Sequence, residues 1–133
     1  MKLSEFLVFN SLHDASLDAI HVSDETKKYE FEVTFSNASC LDTEAIKEEF
    51  VKGRIVIKDV RDLEIIPYLN LSLFGDDFSG EILDVSVVLN QQASNIAAST
   101  QLNMNFLVDN YVDHTHTFHT LKITSKEIEW CLL

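Results

Sequence analysis

The stretch Tyr29-Glu30-Phe31-Glu32-Val33-Thr34-Phe35-Ser36 places an apolar side chain at every odd position and a polar one at every even position. Successive side chains of a strand point to opposite faces, so this alternation predicts a strand with one face on a core and the other in solvent. We therefore expect Phe31, Val33 and Phe35 to be buried.

Further segments have the alternation or the β-branched composition of strands. They cover residues 17–23, 53–60, 63–66, 81–89, 101–108 and 115–124, with a final run that holds Ile128, Trp130 and Leu132. Polar residues 24–28 predict a hairpin between the first two strands, and a turn at Ser125-Lys126 predicts a hairpin that closes the chain. The short connections favour antiparallel neighbours, and about seven or eight strands are expected.

Helical signals are confined to short segments. Ser4 is expected to cap a short N-terminal helix, and Asp42 is expected to cap a second helix over residues 43–51, which Gly53 ends. Residues 90–100 form either a loop or one more helical turn.

These elements together predict a mainly β (β-rich α+β) fold, either an antiparallel sandwich or a strongly curved sheet with one or two short helices. The length of 133 residues, or 15.1 kDa, predicts a single domain over residues 1–133. The expected core residues are Phe31, Val33, Phe35, Ile55, Ile57, Leu83, Val85, Leu102, Met104, Phe106, Leu121, Ile123 and Trp130.

The composition excludes several classes of protein. A hydrophobic fraction of 46% with 3 Gly and 1 Pro is not that of a disordered or collagen-like chain. The formal charge of −12 opposes binding to nucleic acid or to an anionic membrane. The apolar run at residues 6–9 is too short for a signal peptide or a membrane span, so a cytoplasmic location is expected. Cys40 and Cys131 are expected to be reduced, buried thiols.

Motifs of the common catalysts are absent from the sequence: it has no phosphate-binding glycine loop, no dinucleotide fingerprint, no nucleophile elbow and no zinc-protease helix. We therefore expect no catalytic residues, no enzymatic activity and no cofactor, and an enzyme that uses none of these motifs is the alternative.

The histidines suggest an alternative function. The spacing of His114 and His116 places both imidazoles on one face of a strand, an arrangement found in metal sites, with Asp113 nearby. His119 lies an odd number of residues away and should point to the opposite face, so a third ligand is lacking. We expect no physiological metal site. The alternative hypothesis is a small-ligand or metal-binding module that uses the His114/His116 face.

His13-Asp14 has the dyad of a class of metal-dependent phosphohydrolases. Those enzymes are helical, whereas this dyad opens a β-rich chain. A local role is favoured, in which Asp14 turns the backbone before the first strand.

The acidic excess is uneven, because no Lys or Arg occurs between Arg61 and Lys122. An extended negative potential over residues 62–121 predicts a cationic protein partner. The most apolar stretch without strand alternation lies in this region and is the predicted contact, unless it is an irregular part of the core. The predicted partner-binding residues are Tyr68, Leu71, Phe74, Asp76, Asp77 and Phe78.

Residues 12–17 (Leu-His-Asp-Ala-Ser-Leu), 29–35, 80–85 and 123–130 together resemble the YxiG-like family of small Bacillus proteins. The resemblance implies a compact β-rich domain without catalytic residues, in a broad class whose members often sit near secreted polymorphic toxins and in some cases act as their immunity proteins. The expected function is a non-enzymatic acidic interaction protein, an immunity-type inhibitor of a cationic protein. Residues 68–78 lie outside the resemblance, and the sequence carries no signal for an oligomeric state.

Overall fold

The computed structural model describes residues 1–36, 50–75, 78–90 and 99–133, and these form a mainly β domain, as the alternation predicts. A short helix, α1, spans Leu3–Phe9, and a 3₁₀ turn spans Leu71–Leu73. The eight strands in these ranges are β1 (Ser16–Ser23), β2 (Lys28–Ser36), β3 (Phe50–Lys58), β4 (Asp62–Ile66), β5 (Phe78–Asn90), β6 (Ser99–Asn110), β7 (Thr115–Ser125) and β8 (Glu127–Leu132).

All eight strands belong to one antiparallel sheet with the order β4-β7-β6-β5-β1-β2-β3-β8. The predicted hairpin between β1 and β2 is present. The join between β5 and β1 is short, because only Ser16 with Glu81 and Leu17 with Gly80 are in register. The sheet therefore has two four-stranded halves, which we name the β7 half (β4-β7-β6-β5) and the β2 half (β1-β2-β3-β8).

The sheet is strongly curved. This follows from two very short connections, each of which takes the chain from one end of the strand order to the other. Residues 59–61 lead from β3, next to one edge, to β4 at the other edge, and Lys126 alone separates β7 from β8. Such short connections require the two halves to lie close together. The predicted hairpin at Ser125-Lys126 is wrong, since β7 pairs with β6 and β4 whereas β8 pairs with β3. Alternation specifies the buried face of a strand but not its neighbour.

The core lies between the halves and is one continuous apolar cluster. Phe31 and Ile55 from the β2 half and Met104, Phe106 and Leu121 from the β7 half are all fully buried in it. Burial of these side chains supplies the main stabilising contribution to the fold.

The core prediction is wrong for Leu83 and is met only in part by Val85, while the other predicted core residues are buried. The pairing of β5 with β6 shifts register between Ile82 and Asp84. This irregularity reverses the alternation, so that Ile82 is fully buried, Leu83 is half-buried and Val85 packs against the edge of the core.

Helix α1 confirms the predicted N-terminal helix, but its cap is not Ser4. The N-cap position is Lys2, which makes no side-chain capping hydrogen bond, and the helix is held by tertiary packing instead. Phe6 stacks on Trp130 with ring centroids 4.1 Å apart and meets Phe35 edge-on at 5.5 Å. The helix therefore attaches to the β2 half through aromatic contacts.

Two other predictions are only partly covered by the described residues. Phe50 and Val51 begin β3, so the end of the predicted 43–51 helix is wrong, and its remaining residues lie outside the described ranges. The predicted loop or helical turn over residues 90–100 is wrong at its ends, because Asn90 belongs to β5 and Ser99 and Thr100 belong to β6, and residues 91–98 lie outside the described ranges. Cys131 is an exposed free thiol, contrary to the predicted burial, because the alternation of β8 turns Trp130 inward and Cys131 outward. Cys40 lies outside the described ranges.

No helix in the described residues is long and apolar enough to cross a membrane.

Candidate functional site

The outer face of the β2 half carries carboxylates that are paired with cations. Lys28 Nζ lies 2.8 Å from Glu30, and the Arg54 guanidinium lies 3.0 Å from Glu30 and 2.8 Å from Glu32. The hydrogen bond from Lys28 lowers the pKa of Glu30, and the hydrogen bond from Arg54 lowers the pKa of Glu32. The negative charge of this face is therefore balanced locally.

The outer face of the β7 half carries acids without that balance. Lys122 is the only Lys or Arg in its four strands, and it lies opposite Glu64 in the register of β7 with β4. The exposed or half-exposed acids of this surface, which we name the acidic face, are Asp62, Glu64, Glu81, Asp84 and Asp109.

Hydrogen bonds between neighbouring strands fix part of the acidic face. Asn105 Nδ2 donates to Asp84 at 2.8 Å, and Thr120 Oγ1 donates to Asn105 Oδ1 at 2.8 Å. These contacts orient the Asp84 carboxylate through β6 and β7. A preorganised carboxylate loses less conformational entropy when it pairs with a cation than a freely rotating one.

An apolar side chain projects beside these carboxylates. Phe118 on β7 is 49% exposed and lies in one row with Leu107 on β6 and Glu81 on β5. Ile66, at the end of β4, is 60% exposed at the next outward position. The acidic face therefore offers an aromatic anchor within a field of negative charge, the combination that favours both fast encounter and tight contact.

The predicted partner-binding residues are divided between surface and core. Tyr68 is 81% exposed and follows β4, whereas Leu71 and Phe74 are 5% and 4% exposed. Phe74 meets Phe106 edge-on with centroids 6.1 Å apart. Leu71 and Phe74 therefore fill the protein's own core and present no surface to a partner.

Three predicted contact residues remain, namely Asp76, Asp77 and Phe78. Phe78 is partly buried and packs against the core, with its ring centroid 6.3 Å from that of Phe74. Asp76 and Asp77 lie outside the described residues. The alternative interpretation, an irregular part of the core, therefore applies to Leu71, Phe74 and Phe78. Leu71 begins the 3₁₀ turn and Phe74 directly follows it, so both become buried without the period of a strand.

The predicted shared strand face of His114 and His116 is wrong. His114 has a φ of 54° and lies in the turn before β7, which begins at Thr115. His116 contacts the Asp109 carboxylate, and His119 is buried, pointing to the opposite face as expected. In the described residues no group of three or more His, Cys, Asp or Glu is placed to hold a metal ion.

The local role of the His13-Asp14 pair is confirmed. Asp14 has a φ of 65°, and its N–H donates to Ile82 O at 2.8 Å where β1 meets β5. The His13 ring contacts the Leu83 carbonyl, which raises the pKa of His13, and Asp14 raises it further. The pair turns the chain into β1 and lies beside Glu81 and Asp84 of the acidic face.

A groove of about 430 Å³ lies at the end of the β2 half. Its lining residues are Met1, Phe6, Asn10, Phe35, Trp130 and Leu132. It lies apart from the acidic face and brings together no titratable side chains.

The sequence predicts the acidic face only in part. The stretch without Lys or Arg indicated a negative region, but the side-by-side position of β4, β7, β6 and β5 is a property of the topology. Phe118 was not recognised, because it lies in a polar Thr/His-rich segment with no distinctive motif. Comparison with protein-family models, with curated proteins and with solved structures finds no match to this chain.

Proposed function

We propose that the protein is a non-enzymatic interaction protein that binds a cationic protein partner through the acidic face. The observation that carries the proposal is the segregation of charge between the two halves of one sheet. Glu30, Glu32 and Glu129 of the β2 half have cationic neighbours within 4 Å, whereas the strands of the β7 half contain a single Lys among their acids.

Charge and apolar contact contribute to different steps of binding. The acidic face steers a basic surface during encounter over about 8 Å at physiological ionic strength. Phe118 and Ile66 then supply apolar area that a partner can cover. The same charge opposes binding to nucleic acid and to anionic membranes.

The narrower form of the proposal is an immunity-type inhibitor that acts in the cytoplasm. A toxin enzyme that binds a polyanionic substrate has a basic groove, and an acidic domain of this size covers such a groove by charge complementarity. The resemblance to the YxiG-like family supports this form, and a toxin gene next to the gene for this protein would support it further.

The experiment compares two variants of equal net charge. The acidic-face variant is Asp62→Asn/Glu64→Gln/Glu81→Gln, and the control is Asp24→Asn/Glu25→Gln/Glu127→Gln, whose exposed acids lie in the β2 half. The protein that the wild type captures from the source cell serves as the partner, and stopped-flow association rates are measured from low to high salt.

We expect the acidic-face variant to associate about tenfold or more slowly at low salt, and the control to stay within about twofold of the wild type. The salt dependence should be weaker for the acidic-face variant alone. Equal rates for the two variants would contradict the proposal, because total charge rather than its position would then decide association. A captured partner that is acidic would contradict it as well.

A further inference from the structure

The two edges of the sheet differ in how far other parts of the chain cover them. At the β8 edge, Lys2 forms a bridge with Glu129, and the Trp130 N–H donates to Met1 O at 2.8 Å. The chain's own N-terminus therefore covers part of that edge. At the other edge, β4 pairs only with residues 120–124 of β7.

Among the described residues, the N-terminal part of β7 consequently has a neighbouring strand on one side only. Residues 115–119 pair with β6, but β4 ends at Ile66 opposite Thr120. Thr115, His116, Thr117 and Phe118 are all exposed. In the described part of the chain, no strand lies beside this segment on the β4 side.

The direction of its backbone groups follows from one hydrogen bond. Arg61 N–H donates to Thr124 O at 2.8 Å, so the peptide groups of Thr124 point toward the β4 side. The pairing of β7 with β6 has no register shift, and backbone groups alternate sides along a strand. The N–H and C=O groups of His116 and Phe118 therefore point out of the open edge.

This edge lacks the usual protection against pairing. Sheet edges are commonly blocked by a charged residue, a proline or a bulge, but residues 115–118 are Thr-His-Thr-Phe, with none of these. Such a segment is a template for an added strand, with main-chain hydrogen bonds for affinity and alternate side chains for specificity.

We propose that an extended segment of the cationic partner adds to the sheet as a strand beside residues 115–118 of β7. The inference rests on the proposed function and names the element that the partner uses. The outward side chains of His116 and Phe118 lie on the acidic face, next to Asp109 and Leu107. An added strand with a basic residue at every second position therefore continues the sheet and places its cations among these acids.

A second copy of this chain fits the same edge less well. Pairing of two copies through β7 would join two acidic faces and bring together chains of charge −12 each. Like charges side by side oppose association, whereas a basic strand neutralises them.

The test uses a short end-blocked peptide of alternating lysine and threonine, with a control peptide of the same sequence in which the backbone nitrogen of each lysine is methylated. Both have the same charge, but the control lacks the lysine N–H groups that would donate to the His116 and Phe118 carbonyls. Binding is measured by calorimetry, and amide hydrogen exchange by NMR. We expect the His116 and Phe118 amides to exchange quickly in the free protein and at least about tenfold more slowly with the lysine–threonine peptide.

Two variants distinguish the contribution of the Phe118 backbone N–H to binding from that of its aromatic ring. Phe118→Pro removes an N–H that points to the open edge and leaves the β6 ladder intact, whereas Phe118→Thr keeps that N–H and removes the aromatic ring. We expect Phe118→Pro to bind about tenfold more weakly than Phe118→Thr. Circular dichroism and Trp130 fluorescence verify folding, and the exchange data on the wild type stand even if Phe118→Pro fails to fold.

Equal affinity for the two peptides, or unprotected His116 and Phe118 amides in the complex, would overturn the strand addition but leave the charge-based function intact. Absence of measurable binding to the lysine–threonine peptide would also overturn it. Protection of these amides by self-association, with no peptide present, would assign the edge to a second copy instead. The proposed function itself fails only by the equal-charge comparison or by an acidic partner.

Discussion

The Nδ1 atom of His119 lies 2.8 Å from the carbonyl oxygen of Pro67. Because a carbonyl only accepts, Nδ1 carries the hydrogen, and Nε2 lies 2.7 Å from the Thr117 hydroxyl. The ring also stacks on Phe106 with centroids 5.6 Å apart. This contact ties the segment after β4 to β7 and holds the end of the short edge strand in place.

Replacement of His119 tests how much its hydrogen bond with the Pro67 carbonyl stabilises the fold. His119→Leu keeps a buried apolar side chain but leaves the Pro67 carbonyl without its donor, so we expect a loss of about 2 kcal/mol in the free energy of unfolding. Thr117→Val is the control and should lose less than about 1 kcal/mol, because Thr117 is exposed. Urea unfolding measures both, and equal losses would contradict the assigned role of the Pro67 contact.

Gly53 leaves room for the indole of Trp130. A Cβ at position 53 would lie 2.1 Å from Trp130 Cζ2, closer than any side chain tolerates. Gly53→Ala should therefore displace the ring and destabilise the protein by about 1–3 kcal/mol. Trp130 is the only tryptophan, so its fluorescence reports both the displacement and the urea unfolding. In a Trp130→Leu background the cost should shrink, and an unchanged cost would contradict the steric explanation.

The carboxylates around Arg54 make a contribution to stability that depends on pH. The folded-state pKa values of Glu30 and Glu32 are lowered from 4.5, so this contribution is present above pH 4.5 and is lost as the pH falls through the lower folded values. Arg54→Met removes the guanidinium and keeps the apolar stem. We expect it to cost about 1 kcal/mol at pH 7 and much less near pH 3. A difference that is independent of pH would contradict the assignment.

Metal content is a further test, directed at the alternative function. His114 and His116 do not share a strand face, and His116 already contacts Asp109. We expect dialysed protein to retain less than about 0.1 equivalent of zinc or nickel, and chelator to leave its unfolding midpoint unchanged. Elemental analysis that finds about one equivalent, lost on His114→Ala/His116→Ala, would contradict this expectation.

The sequence by itself determined where most of the strands lie and which faces of most strands are buried. Phe31, Val33 and Phe35 are buried as their period of two requires, and so are Leu102, Met104 and Phe106. Such faces are predictable because each depends only on alternation within its own segment. The signal fails at Leu83, where a register shift in the pairing with β6 reverses the alternation.

Only the tertiary structure decided which strands are neighbours. Nothing local distinguishes a hairpin at Ser125-Lys126 from the observed crossing, because the choice depends on how the two halves pack around one core. The same holds for Leu71 and Phe74, whose apolar side chains were compatible with a contact surface until the 3₁₀ turn placed them inside.

The acidic face depends both on the sequence and on the tertiary structure. The lack of Lys and Arg between Arg61 and Lys122 is a property of the sequence, and it made this part of the chain negative in any fold. The topology then placed β4, β7, β6 and β5 side by side and put nearly all cations of the strands into the β2 half. Coulomb energy depends on distance, so the sequence sets the sum of the charges, whereas the three-dimensional arrangement sets the field that a partner meets.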